Sequence, residues 1–278
     1  MHFGLYGINQ GAAADPEVAV GLAQLAEELG FDSLWTAGDL ALPDPKPHPH
    51  AAAPATPMVH PALCLGALAE HTDQLLLVLG ASEGCARDAL LWAKLGASLD
   101  HWSEGRGQLL LPPGFFAAAG QDLEDEWLEA LRSLWGSDVP TVEGQFHPLR
   151  NLQAAPRPIQ GARLPLWVQG RSAAALRGAV QAGQGWLCPG EDLETVAEAL
   201  AMLTEEEARS ERPGALGILE VSVLASALPS PEDLEAYEEL GVDRLVLRLP
   251  PDQAPVLEAF LEDIAEAYFD DFLDEPEG

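Results

Sequence analysis

Two hydrophobic rhythms alternate along the chain. Short apolar runs are separated by longer stretches in which Leu and Ala recur at helical spacing. The first run, His2–Ile8, predicts a strand. Asp15-Pro16-Glu17 then supplies an N-cap, a proline at the first helical position and an acid in the first turn. Leu22, Leu25, Ala26 and Leu29 follow on one helical face, and Gly30 ends that helix. Asp32–Thr36 predicts a short strand, Pro57–His71 a helix and Gln74–Gly80 a strand buried on both faces. Gly84–Leu99 reads as a helix, Arg106–Leu111 as a strand and Leu123–Trp135 as a helix with Trp and Leu on one face.

The second half repeats the alternation. Strands are predicted at Leu164–Val168, Gly185–Leu187, Ala215–Leu224 and Asp243–Leu247. Helices are predicted at Ser172–Gln181, Asp192–Arg209 and Pro255–Phe269. Ser230-Pro231-Glu232-Asp233 opens a further helix with a capping pattern, and Gly241 closes it. An internal echo supports the repeat: ELGFDSL at Glu28–Leu34 resembles ELGVDRL at Glu239–Leu245, each a helix end, a glycine cap and a strand start. Eight αβ units predict an α/β fold of the (β/α)8 TIM-barrel type, for which about 250 residues is typical. An open doubly wound sheet is the alternative, but Gly4, Gly7 and Gly11 do not form the glycine fingerprint of a dinucleotide turn.

Composition narrows the partners. Across 278 residues there are 45 Asp and Glu against 14 Lys and Arg, a formal net charge of −31. Nucleic acid and anionic membrane surfaces are therefore disfavoured as partners. The start of the chain lacks a basic, then apolar, secretory pattern, and no apolar run reaches transmembrane length. Cys64, Cys85 and Cys188 form no CxxC pair and read as reduced thiols of a cytoplasmic protein. Residues 1–269 are expected to form a single barrel, followed by an acidic tail over residues 270–278.

Barrels bind ligands at the C-terminal ends of their strands. That rule selects Asn9, Gln10, Asp39, Ser82, Glu83, the turn Pro112-Pro113-Gly114-Phe115, the turn Gln169-Gly170-Arg171-Ser172, Cys188 and Arg248. Among these, Gly170–Ser172 has the strongest local chemistry: a helix N-terminus, a forked cation and a hydroxyl suit a phosphate. His48 and His50 lie in a proline-rich loop without the spacing of a metal site. No nucleophile elbow, phosphate loop or zinc-protease motif occurs.

The string of motifs resembles the luciferase-like monooxygenase family, including members that use coenzyme F420. ELGFDSLW at Glu28–Trp35, LAEHT from Leu68, AKLGASLDHWSEGR at Ala93–Arg106 and EWLEALRSLW at Glu126–Trp135 carry the likeness. EGQFHPL at Glu143–Leu149 and the segment Pro156–Trp186 complete it. The resemblance implies a barrel enzyme, an oxidoreductase or monooxygenase that holds FMN or F420 at the barrel mouth, takes a small-molecule substrate and forms a homodimer. It implies cofactor contacts at Gly80, Arg87, Gln169, Gly170, Arg171, Ser172 and Trp186, with Asp39 and Asn9 nearest the reacting atoms.

Several positions depart from the family pattern. The acid–histidine pair after the second strand is Gly38-Asp39, the Gly-Thr near the end of the third is Val78-Leu79, and the glycine-rich turn after the fourth carries Pro112-Pro113. The departures leave a second reading: a family member that has lost catalysis and the cofactor and serves as a structural or regulatory partner.

Overall fold

The computed structural model of the protein describes residues 1–42, 44–45, 52–81, 87–116, 120–190, 192–250 and 253–269. Cys85, Ser82, Glu83, His48, His50 and the acidic tail at 270–278 lie outside these.

Eight parallel strands close into a barrel in chain order. They are β1 (His2–Tyr6), β2 (Ser33–Trp35), β3 (Leu76–Gly80), β4 (Gly107–Leu111), β5 (Leu166–Gln169), β6 (Gly185–Pro189), β7 (Glu220–Ala225) and β8 (Arg244–Arg248). β8 closes the ring against β1, with Tyr6 opposite Arg248. A helix follows each strand: α1 (Pro16–Leu29), α2 (Pro61–Ala69), α3 (Ala89–Trp102), α4 (Gln121–Gly136), α5 (Ala173–Ala182), α6 (Leu193–Arg209), α7 (Pro231–Glu239) and α8 (Ala254–Tyr268).

Local chemistry sets these boundaries. The Asp15 carboxylate accepts from Glu17 N at 2.9 Å, and Gly30 ends α1 at φ 95°. The expected capping box forms between Ser230 and Asp233. Three boundaries differ from expectation by four residues or more. α3 begins at Ala89, not Gly84, where the Asp88 carboxylate caps it by accepting from Leu91 N at 2.9 Å. α2 begins at Pro61, not Pro57, because residues 57–59 run back along the segment after β1: Gly11 N donates to Pro57 O at 3.0 Å and Val59 N to Asn9 O at 3.1 Å. β7 begins at Glu220, not Ala215, because Arg212 gathers the carbonyls of Ala179, Val180, Gly183, Leu216 and Gly217 and holds 214–217 in a turn.

The main core lies between barrel and helices, and a second cluster fills the lumen. Each strand sends one side chain into that second cluster: Tyr6, Trp35, Val78, Leu110, Trp167, Leu187, Leu224 and Val246. Trp35 and Trp167 meet edge to face at 4.9 Å, so the barrel is a packed core and not a pore.

Below that layer the lumen floor is charged. Arg244, almost fully buried, donates to Asp32 Oδ2 through Nε at 2.7 Å and Nη2 at 2.6 Å, and pairs with Glu220. Ser33 Oγ donates to Asp32 at 2.7 Å and accepts from Trp35 Nε1 at 2.9 Å. Trp167 Nε1 donates to Gln108 Oε1 at 2.5 Å, and the Arg244 guanidinium sits 5.3 Å from the Trp167 ring centre. The tryptophan layer is thus fixed from beneath by polar groups whose bonds are made inside the barrel.

Candidate functional site

The lumen layer closes the barrel from below, so chemistry is confined to the upper rim, where the strands end. Four features meet there.

The first is the β5–α5 turn. Gly170 has φ 121°, a conformation open to glycine, and its N–H donates to Leu187 O at 3.2 Å. Its carbonyl accepts from Trp186 Nε1 at 2.7 Å. Trp186 is fully buried on the helix side of β6, so it braces the turn from behind and does not face the rim. Arg171 and Ser172 are exposed. Ser172 caps α5 by accepting from Ala175 N at 3.2 Å. The remaining first-turn N–H groups have no partner within the helix, and the helix dipole presents its positive end to the rim.

The second is Arg248 at the end of β8. Its guanidinium lies over the Tyr6 ring at 4.9 Å, and its buried Nε has no hydrogen-bond partner. Burial pushes the Tyr6 phenol above its ordinary value of 10.0. Arg248 opposes that rise and the Asp39 carboxylate adds to it. Tyr6 therefore stays protonated at neutral pH. Sequence reasoning placed Arg248 at a strand end but missed Tyr6. Its signal was register alone: it is the last residue of β1 and its side chain belongs to the lumen layer.

The third is the β2 end. Asp39 is exposed, and its field reaches Tyr6. Asn9 is fully buried. Its amide nitrogen donates to the carbonyls of Ala37 and Val59, both at 3.1 Å, and its Oδ1 accepts from Ala37 N at 2.9 Å. The amide is occupied in joining the ends of β1 and β2 to residue 59, so it orders the rim beneath Asp39 and leaves no donor for a ligand. Gly80 lies beside them, with Thr36 Oγ1 accepting from its N–H at 2.9 Å. A Cβ there would run into Thr36 O, so the close strand approach requires glycine.

The fourth is the cover. Pro113 packs against Gly170, since a Cβ on that glycine would lie 3.3 Å from Pro113 Cβ. Phe115 and Phe116 turn away from the rim. Phe115 meets Trp127 at 4.8 Å and Phe116 lies on Gly178 of α5. Gln169 is half-buried at the end of β5. Cys188 is buried at the end of β6, its thiol pushed up to about 12 by burial despite nearby Arg171, so it is no nucleophile at neutral pH. Arg87 is half-buried and its charge reaches Glu124, on the α4 side.

These residues suit an anionic ligand. Arg171 stands exposed at the α5 N-terminus, with its charge reaching Asp192, and Arg248 bonds Tyr6 while its buried Nε has no hydrogen-bond partner. No group of His, Cys, Asp and Glu among the described residues is arranged to hold a metal ion. Among those residues no helix is long and apolar enough to cross a membrane.

Comparison with known proteins agrees with this architecture. The family profile described as luciferase-like monooxygenase matches residues 1–274. An uncharacterized protein of Mycobacterium tuberculosis is 25% identical over 292 residues, spanning 95% of this chain and 98% of the relative. Monooxygenase RslO1 from Streptomyces bottropensis superposes with a TM-score of 0.72 at 19% identity, covering 98% of this chain and 100% of that one. The coenzyme F420-dependent tetrahydromethanopterin reductase from Methanopyrus kandleri does so with a TM-score of 0.70 at 15% identity, covering 96% and 97%. At these identities the two solved structures share the fold.

Proposed function

The chain belongs to the luciferase-like monooxygenase family, and from that premise we propose that it is an oxidoreductase using FMN or coenzyme F420 on a small-molecule substrate at the upper rim of the barrel. The observation that carries this reading is two cationic groups at strand ends of the rim in an acid-rich chain: exposed Arg171 at the N-terminus of α5, and Arg248, which bonds Tyr6 and keeps a buried Nε without a partner. The F420-dependent reductase of the same fold supports one cofactor, and the family resemblance supports both.

In this reading Arg171 and the first-turn N–H groups of α5 would hold the cofactor's phosphate, on the turn that Gly170 shapes. Gln169, the residue before Gly170, would offer its amide beside that phosphate, while Gly80 serves the close approach of the Thr36 backbone. When bound, the cofactor's ring supplies the hydride or oxygen chemistry. Trp35 and Trp167, packed edge to face in the lumen, would keep water from reaching it from below. Arg248 offsets negative charge beside Tyr6. The Tyr6 hydroxyl, held protonated by burial, donates a hydrogen bond or a proton, and Asp39 accepts one at the exposed edge. Asn9 and Trp186 position the rim. Titration of the purified protein with FMN and with F420 tests the reading; absence of saturable binding of either at tens of micromolar rejects it.

A homodimer is part of the proposal. α2 contains no charged residue, yet Leu63 on its outer face is 75% exposed, and Leu90 and Leu91 open the exposed side of α3. Two copies that each carry −31 would repel except through a face of this kind. Light scattering of the full chain should give twice the monomer mass, and Leu63→Glu should lower it to one.

A further inference from the structure

Away from the barrel mouth, α4 and α5 border a groove of about 500 Å³, within the ordinary range of small-molecule sites. Phe116, Leu128 and Ala182 give it apolar walls. Phe116 is seated firmly, because Gly178 beneath it has no Cβ and a methyl there would come within 2.5 Å of the ring.

Two further observations point to an occupant. Glu124, at the start of α4, lines the groove, is 3% exposed and has a buried Oε1 with no hydrogen-bond partner. Buried polar atoms in native proteins are nearly always bonded, so this oxygen lacks a donor that a ligand would bring. Arg132 on α4 and Arg177 on α5 line the same groove, and neither joins an ion pair or a hydrogen bond with a described residue. Most other arginines are committed: Arg150, Arg157, Arg209 and Arg244 to carboxylates, Arg106 and Arg212 to carbonyls. In a chain with 14 basic and 45 acidic residues, two guanidinium groups without a bonded acceptor on one groove are a concentrated donor set, and the Arg177 charge also reaches Glu124. Asp125 and Glu129 also border the groove, but both are exposed, where water and salt screen them.

We propose that the α4–α5 groove is a second ligand site, taking a small aromatic or aliphatic carboxylate that carries a hydroxyl donor at its far end. The carboxylate is met by Arg132 and Arg177, the apolar body by Phe116 and Leu128, and the hydroxyl donates to Glu124 Oε1. This occupant answers all three features together. A plain anion leaves Glu124 without a donor, and a plain amine leaves both arginines unmatched.

The probe is 4-hydroxyphenylacetate, titrated calorimetrically into the full-length protein, with phenylacetate and 4-methylphenol as analogues lacking the hydroxyl and the carboxylate. Saturable one-site binding of the probe is expected, with each analogue weaker by about tenfold or more. Arg177→Ala should weaken the probe by a similar factor. Glu124→Leu should remove the preference for the probe over phenylacetate. Arg171→Ala, at the barrel mouth, should leave probe binding unchanged. If Glu124→Leu does not fold, the exposed-side variant Arg132→Ala takes its place and should weaken the probe. The proposal is overturned by absence of saturable probe binding, by equal affinity in Arg177→Ala, or by loss of binding in Arg171→Ala.

Discussion

The guanidinium carbon of Arg248 lies 4.9 Å from the centre of the Tyr6 ring, and the two residues are register partners across the seam where β8 closes on β1. Burial raises the Tyr6 phenol while Arg248 holds it down, and the same arginine keeps a buried Nε unpartnered. Arg248→Met keeps most of the stem's packing and removes the charge. It is expected to weaken binding of the anionic cofactor by about tenfold, in line with a charge-assisted hydrogen bond. Equal affinity in wild type and variant would remove Arg248 from the site.

The floor of the barrel predicts a stability effect. Arg244, itself almost fully buried, neutralises Asp32 and Glu220, whose carboxylates are partly exposed. Arg244→Leu strands both carboxylates and is expected to cost about 3–5 kcal/mol in urea unfolding at neutral pH. A loss under about 1 kcal/mol would mean that water reaches the floor and screens the pair.

Two carboxylates should respond to pH with opposite sign. Burial pushes Glu220 above its ordinary value of 4.5, against Arg244. Its contribution to stability is therefore present below pH 4.5 and lost as pH rises through the higher folded value, so Glu220→Gln should gain relative stability at pH 7 compared with pH 4. For Glu27, burial also acts upward. The N–H groups of Gln74, Asp73 and Leu75, with Arg106 nearby, outweigh it and hold the carboxyl below its ordinary value. Its contribution is present above pH 4.5 and lost as pH falls, so Glu27→Gln should lose stability at pH 7 and little below pH 3. Urea unfolding of both variants from pH 3 to 7 gives the two slopes; slopes of the same sign would contradict the assignment.

Gly185 opens β6 directly against the Trp167 ring, where a Cβ would overlap the indole. Gly185→Ala must displace a side chain wedged between Gln108, Trp35 and Arg244. A cost of about 1–3 kcal/mol is expected from overpacking, read as a fall in the urea midpoint at constant slope. An unchanged midpoint would show that the lumen layer is loosely filled.

Much of the fold was legible because each αβ unit carries its own punctuation. Asp15-Pro16, Ser230-Pro231 and Gly30 mark helix ends through backbone hydrogen bonds that neighbouring residues supply, and those appear where the spacing placed them. Where punctuation depends on distant groups, the boundaries moved. Residues 57–59 are extended because they pair with the segment after β1, and β7 starts late because Arg212 binds carbonyls from α5 and beyond.

The rim was legible in position and less so in orientation. Gly170, Arg171 and Ser172 stand at a strand end that opens a helix, as the turn chemistry required. Asn9 stands at the rim and Trp186 behind it, and their polar atoms are spent on Ala37, Val59 and Gly170, partners that no local spacing reveals. Tyr6 went unnoticed because a tyrosine at the end of an apolar strand looks like packing until β8 brings Arg248 over its ring. The charge of −31 says little about the ligand; two cationic groups at strand ends of the rim say more.

The most direct test is a fluorescence and absorbance titration of the purified protein with FMN and with F420, run in parallel on Arg171→Ala. Saturable binding of one cofactor by the wild type, weakened about tenfold or more in the variant, is the predicted result. No binding of either cofactor at tens of micromolar, or the same affinity in both proteins, would contradict the assignment of the barrel mouth as a flavin-type site.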